Sequence, residues 1–208
     1  MTATPVGRRG PGRPRKSESE RAAERGGILA AARATIERRG PDISIDEIAA
    51  SAGVSKPTVY AHFVDKADLA NALAVELAED LDARTEDTIR RRGVEDPVLL
   101  LREAIDTFTL FMTEQTNLYR FVVRSIRTGE SDVVDNALVL ALQATTSTRL
   151  RQVFPDMADA ALDVASYAVL GQVFAAGEGW LHHRRFDRET LVDVLVRLFV
   201  GGVVGIAG

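Results

Sequence analysis

The chain has 208 residues, 46% of them hydrophobic, which is enough apolar material for one large or two small domains with a true core. It contains no cysteine, which excludes a disulfide framework and any cysteine-ligated metal site and suits the cytoplasm. The formal charge of −4 is unevenly spread: residues 1–66 hold 12 basic against 8 acidic side chains and the remainder carries a net −8, so a polyanion would be drawn to the N-terminal end. Abundant arginine, 23 of the 26 basic residues, is the alternative source of that asymmetry.

Residues 1–18 read as a disordered basic tail, without the apolar run of a secretion signal. Within it, Arg8 to Lys16 (RRGPGRPRK) is a basic element whose core, Gly12-Arg13-Pro14, resembles an AT-hook, an extended Arg-Pro backbone that would lay Arg13 and Arg15 into a narrow A/T minor groove. A tail with only non-specific phosphate affinity is the alternative. Strand and hairpin signals are nearly absent while apolar residues recur at three and four, so the fold is predicted to be all-α, with about nine helices. The first helix carries Ile28, Leu29, Ala32 and Ile36 on one face and stops at Gly40-Pro41. Gly26-Gly27 leaves its start open, near Ser19 or only near Gly27, because each glycine costs about 1 kcal/mol relative to alanine in a helix interior.

Two short helices and a long one follow. Ser44 and Glu47 form a capping box, Ile45, Ile48, Ala49 and Ala52 face inward, and Gly53 suits a left-handed helix end. Ser55 caps the next helix, Pro57 is tolerated in its first turn, and Val54, Val59 and Phe63 point inward. Asp65 opens a helix with the stripe Leu69, Leu73, Leu77 and Leu81, expected to pack on both halves of the chain. Five more helices are predicted at about 96–114, 117–128, 132–153, 157–184 and 188–204, bounded by Pro97, Gly129, Pro155 and Asp187. The end from Leu198 to Gly208 is read as the longest uncharged apolar run; it is too short for a bilayer, and no membrane span is expected.

Residues 45–63 meet the requirements of a helix-turn-helix: two short helices, a tight turn, and a second helix whose outer face can enter a major groove. That face offers Lys56, Thr58, Tyr60 and His62 to phosphates or base edges, while Ser44 and Lys66, at the starts of flanking helices, can meet phosphates. Residues 43–69, ISIDEIAASAGVSKPTVYAHFVDKADL, resemble the DNA-binding signature of the tetracycline-repressor (TetR) family, and the likeness extends over about residues 25–75. By that resemblance Ser44, Lys56, Thr58, Tyr60, His62 and Lys66 fall where relatives touch operator DNA. Pro57, where many relatives have Gly, and Ala61 lie on the same helix and would contribute through shape or methyl contact.

The resemblance further implies a division into residues 19–66, which bind DNA, and residues 67–208, which bind an effector and pair two subunits. Ligand capture would spread the recognition helices and release a roughly palindromic operator. Gly171, Ala175 and Gly179, with Leu191, Val194, Leu195, Leu198 and Phe199, are the candidate dimer face on the last two helices, or else intramolecular core. Candidates for an apolar effector pocket are Phe108, Phe111, Met112, Tyr119, Phe121, Tyr167, Phe174 and Trp180, with Gln115, Asn117, Thr145 or Gln172 as polar anchors; the same aromatics could be plain core. Arg120, Arg124 and Arg127 could receive an anion or form a solvated face. The expected effector is small and lipophilic. No cofactor or metal is expected: Glu178 and His182 lack further ligands, and neither a G-x-S-x-G nucleophile motif nor a P-loop is present, which argues against an enzyme. The alternative function is a constitutive architectural DNA-binding protein without effector.

Overall fold

The computed structural model describes residues 16–123 and 136–207, with side chains through Gly201. Among these residues the secondary structure is nine helices without strands: α1 (Glu18–Arg39), α2 (Ile45–Ala52), α3 (Lys56–His62), α4 (Lys66–Arg92), α5 (Pro97–Glu114), α6 (Thr116–Val122), α7 (Ala137–Val153), α8 (Asp159–His183) and α9 (Arg188–Ala207). The AT-hook-like residues Arg13 and Arg15, and Arg124, Arg127 and Gly129, lie outside the described residues.

The early start of α1 is the one realised. Ser17 caps the helix, accepting from the Glu20 amide at 3.2 Å while the Ser17 amide donates to the Glu20 carboxylate at 2.7 Å. The turns before Gly26-Gly27 are also anchored sideways, by a 2.8 Å contact between Glu24 and His62 and by the Arg25 guanidinium lying 4.8 Å from the centre of the Phe63 ring. Capping and cross-helix contact together offset the glycine cost. Ile28, Leu29, Ala32 and Ile36 are buried, as their spacing predicts.

Polar caps punctuate the next helices too. Ser44 and Glu47 form the reciprocal box on α2, Gly53 closes it at φ 67°, and Ser55 accepts from the Thr58 amide to start α3. Asp65 caps α4, whose Leu69, Leu73, Leu77 and Leu81 are all buried. This helix packs against α1, α5, α6 and α7, so it touches both the N-terminal helices and the later bundle. Arg33 of α1 donates to Asp80 of α4 and to Gln115 at the α5–α6 junction, while Asn117 donates to the Glu37 carbonyl at 3.1 Å. The apolar core is continuous from Ile28 to Phe199.

A longer uncharged run than Leu198 to Gly208 lies within α8, at residues 164–177. By length and composition α8 is apolar enough to cross a membrane, but its inward stripe, including Leu162, Val169, Val173 and Trp180, is buried and it packs on α5, α7 and α9. Helix α8 starts at Asp159 rather than near 157, where Met157 is buried ahead of the first turn. It is capped by Arg184, whose guanidinium sits 4.5 Å from the Trp180 ring centre, and Trp180 Nε1 donates to the Phe186 carbonyl at 2.9 Å.

Candidate DNA-binding surface and interior cavity

Burial of Ile45, Ile48, Ala49, Val59 and Phe63 fixes the angle of α2 against α3 and leaves the opposite face of α3 outward. Ser44, Lys56, Pro57, Tyr60 and Ala61 are exposed, Tyr60 at 47%, and Thr58 is half-buried. Lys56 Nζ lies 2.8 Å from Asp46 Oδ2, a hydrogen bond that raises the ammonium pKa above its ordinary value. The pair is exposed, so phosphate can displace Asp46 at little cost. Thr58 shares a 2.8 Å hydroxyl contact with Ser55.

His62 and Lys66 are placed differently from the other predicted contacts. The His62 side chain is only 8% exposed and its Nε2 meets Glu24 at 2.8 Å, so it joins α3 to α1. Lys66 donates to the Ile43 carbonyl and lies 5.3 Å from the centre of the Phe121 ring, tying the loop before α2 to α6. Lys16, which the sequence marks only as the end of the basic tail, and Arg21, which it does not mark at all, border a shallow groove with Glu24, Pro57, Thr58, Ala61 and His62. Only the packing of α1 across α3 brings these basic groups beside the recognition face. Glu24 is held charged by hydrogen bonds from Lys16 and then His62, which lower its pKa. Glu47 is likewise lowered, chiefly by the Ser44 amide.

A cavity of about 540 Å³ opens in the later bundle. Its walls come from α4 (Ala78 to Ile89), α5 (Leu100 to Phe108), α7 (Leu142 to Val153), α8 (Val169 to Phe174) and α9 (Phe199 and Val200). Of the predicted pocket aromatics, Phe108 and Phe174 line it, with ring centres 5.2 Å apart. Phe111, Met112, Tyr119, Phe121 and Trp180 are buried in packing beside it and do not line it. Tyr119 stacks edge-on against Phe108 and Phe111, and Met112 sits against Gly177. Among the predicted polar anchors Thr145 lines the cavity, whereas Gln115 and Asn117 are taken up by α1 and Gln172 is exposed. Asp82, Thr85, Glu86, Thr146, Arg149 and Gln152, none of them predicted as pocket residues, form the polar part of the lining with Thr145. Nothing in their spacing separates them from a solvated helix face.

On α8 the small residues Gly171, Ala175 and Gly179 are exposed, and a methyl group added at Gly171 or Gly179 would meet open space. Val164 on the same helix, and Val194 and Leu198 on α9, are exposed large apolar side chains, whereas Leu191, Leu195 and Phe199 turn into the chain's own core. Among the described residues no cluster of three or more His, Asp or Glu could hold a metal ion.

Residues 28–73 match the model of the bacterial regulatory proteins of the tetR family. An uncharacterized HTH-type transcriptional regulator of Mycobacterium tuberculosis (strain ATCC 25618 / H37Rv) is 28% identical over 197 residues, covering 94% of this chain and 83% of that protein. The HTH-type transcriptional activator FasR of Mycolicibacterium smegmatis is 29% identical over 180 residues, 85% of this chain and 80% of its own. Among solved structures, RolR in complex with resorcinol shares the fold at a TM-score of 0.68 and 18% identity, over 88% of this chain and 90% of that one. The matched segment runs from within α1 to the first turns of α4 and contains the outward face described above, so this N-terminal unit is similar to that of the bacterial regulatory proteins of the tetR family, and most of the chain is similar to HTH-type transcriptional regulators.

Proposed function

We propose that the protein binds a roughly palindromic operator as a homodimer and that a small lipophilic effector in the interior cavity controls that binding. One observation carries this reading. Helix α4 begins four residues after α3 ends, and its own Ala78, Leu81, Thr85 and Ile89 form a wall of the cavity. Anything that reshapes the cavity therefore acts on the helix that supports the recognition helix. The cavity is of ligand size and mainly apolar, features an architectural protein has no use for.

In this reading residues 19–66 form the reading unit and residues 67–208 the effector and dimerisation unit. Ser44, Lys56, Thr58 and Tyr60 contact DNA directly, Pro57 contributes by shape, and His62 and Lys66 brace the recognition helix through Glu24 and Phe121. The dimer forms through the exposed small-residue stripe of α8 together with Val194 and Leu198. The protein acts in the cytoplasm, where the operator is. Repression with release by ligand is the primary mode; activation is the second, favoured by the name of the M. smegmatis relative.

A thermal-shift screen of apolar small molecules on the full chain, followed by operator occupancy with each stabiliser, tests the effector claim. Stabilisers that change occupancy support it. Compounds that raise Tm in the cavity yet leave occupancy unchanged would overturn it.

A further inference from the structure

One side of the cavity is charged, and that restricts what can enter. Asp82 and Glu86 project from successive turns of α4 and Arg149 from α7, and these are the charged side chains in the lining. Arg149 Nη2 donates to Asp82 Oδ1 and lies 3.2 Å from Glu86 Oε1. Two carboxylates thus face one guanidinium, a net charge of about −1. The nearby hydroxyl protons are spent within their own helices: Thr85 donates to the Leu81 carbonyl at 2.8 Å and Thr145 to the Ala141 carbonyl at 3.3 Å. Arg149 Nε is buried without a partner, while Thr146 and Gln152 can act as donor or acceptor. Most of the hydrogen-bonding capacity left for a ligand is therefore acceptor lone pairs on carboxylate and hydroxyl oxygens.

We infer that this cavity selects an apolar molecule bearing a cationic hydrogen-bond donor, such as an alkyl or aryl ammonium, over a carboxylate or phosphate ester with the same apolar body. The inference rests on the cavity being the effector site. An ammonium has donors and no acceptor, so it can share the carboxylates of Asp82 and Glu86 with Arg149 while its hydrocarbon lies against Leu81, Leu101, Phe108 and Phe174. An anion placed there would be desolvated next to net negative charge, which opposes binding even where it reaches the unpartnered Arg149 Nε. Asp82 and Glu86 are about half exposed, so added salt weakens the preference without reversing it.

The test uses the full-length protein at neutral pH and three ligands with one tail, all below their aggregation concentrations: decylammonium, 1-decanol and decanoate. Binding is followed by calorimetry and by the fluorescence of the single tryptophan, Trp180, on the α8 helix that also carries Val173 and Phe174. Decylammonium is expected to bind at least about tenfold more tightly than decanoate, a difference of roughly 1.4 kcal/mol, with decanol between. Glu86→Gln, at a half-exposed position, should narrow that ratio, and Asp82→Asn should do so in a second background. Ala104→Trp, which occupies part of the cavity, should weaken decylammonium binding in a variant verified as folded by circular dichroism. Decanoate binding as tightly as decylammonium would overturn the charge inference and leave the cavity reading intact. Failure of all three ligands, or wild-type affinity in the Ala104→Trp protein, would overturn the cavity reading and the inference with it.

Discussion

Replacing Tyr60 with alanine should separate DNA reading from folding, because Tyr60 is exposed on α3 while its neighbour Val59 is buried. Tyr60 is about half exposed, and its removal should cost stability no more than about 0.5 kcal/mol, the range of ordinary surface substitutions. Val59, one residue earlier, is fully buried. Val59→Ala removes about two methylene equivalents and leaves a void, a loss of roughly 1.5–3 kcal/mol. For a chain of this length that lowers Tm by about 3–12 °C, whereas Tyr60→Ala should move it by about 2 °C at most. Operator affinity should behave in the opposite way. Deleting a direct base or phosphate interaction of Tyr60 should cost about 1–3 kcal/mol, or roughly 5-fold to 150-fold in Kd, while the Val59→Ala protein that remains folded should bind almost normally. Fluorescence anisotropy on operator DNA and a thermal melt of each variant give both numbers. Wild-type affinity in Tyr60→Ala would refute the placement of the recognition face.

Three further outcomes are expected. Gly177→Ala would place its methyl 2.8 Å from Met112 Sδ, so the end of that flexible but fully buried side chain must shift. The helix-propensity gain of about 1 kcal/mol offsets much of this, so Tm should change little; in a Met112→Ala background, which removes the clash, Gly177→Ala should raise Tm. Leu198→Asp, on the exposed face of α9, should convert dimers to monomers in sedimentation velocity without lowering helix content; an unchanged sedimentation coefficient would exclude that face from the interface. Stability should fall in acid. Glu20 and Glu47 are lowered mainly by the Ser17 and Ser44 amides and Glu24 mainly by Lys16, so their contributions are complete above the ordinary carboxylate pKa and are lost as pH drops through the depressed values. Glu37 and Glu76, raised by burial, act the other way and blunt the loss. Thermal melts from pH 7 to 3 should show a smaller acid loss for Glu47→Gln than for wild type, and an equal loss would contradict the assignment.

The caps of α2 and α3 and the start of α4 were legible in the sequence because they are local: Ser44 with Glu47, Gly53, Ser55 and Asp65 each satisfy or end backbone bonds within a few residues. Inward positions on α2, α3 and α4 followed from spacing alone. What spacing could not show is which helix a given face meets. Phe111, Met112, Tyr119, Phe121 and Trp180 have the same composition signal as cavity walls, yet they pack on one another and on neighbouring helices, and the cavity forms instead around Phe108 and Phe174. Its polar side is built by Asp82, Glu86 and Arg149, residues far apart in the chain that meet only because α7 packs on α4. His62 shows the same limit at the DNA-binding surface, since its position on α3 suggests an outward group and only the approach of Glu24 from α1 explains its burial.

The measurement that most directly tests the central claim is an anisotropy titration of the purified full chain against a duplex from the region upstream of its own gene and against a shuffled duplex, at several salt concentrations. The account predicts a preference for the upstream duplex of at least about 10³-fold that persists as salt weakens both, and saturation at two chains per half-site pair. Equal affinity for both duplexes, falling together with salt, would contradict it.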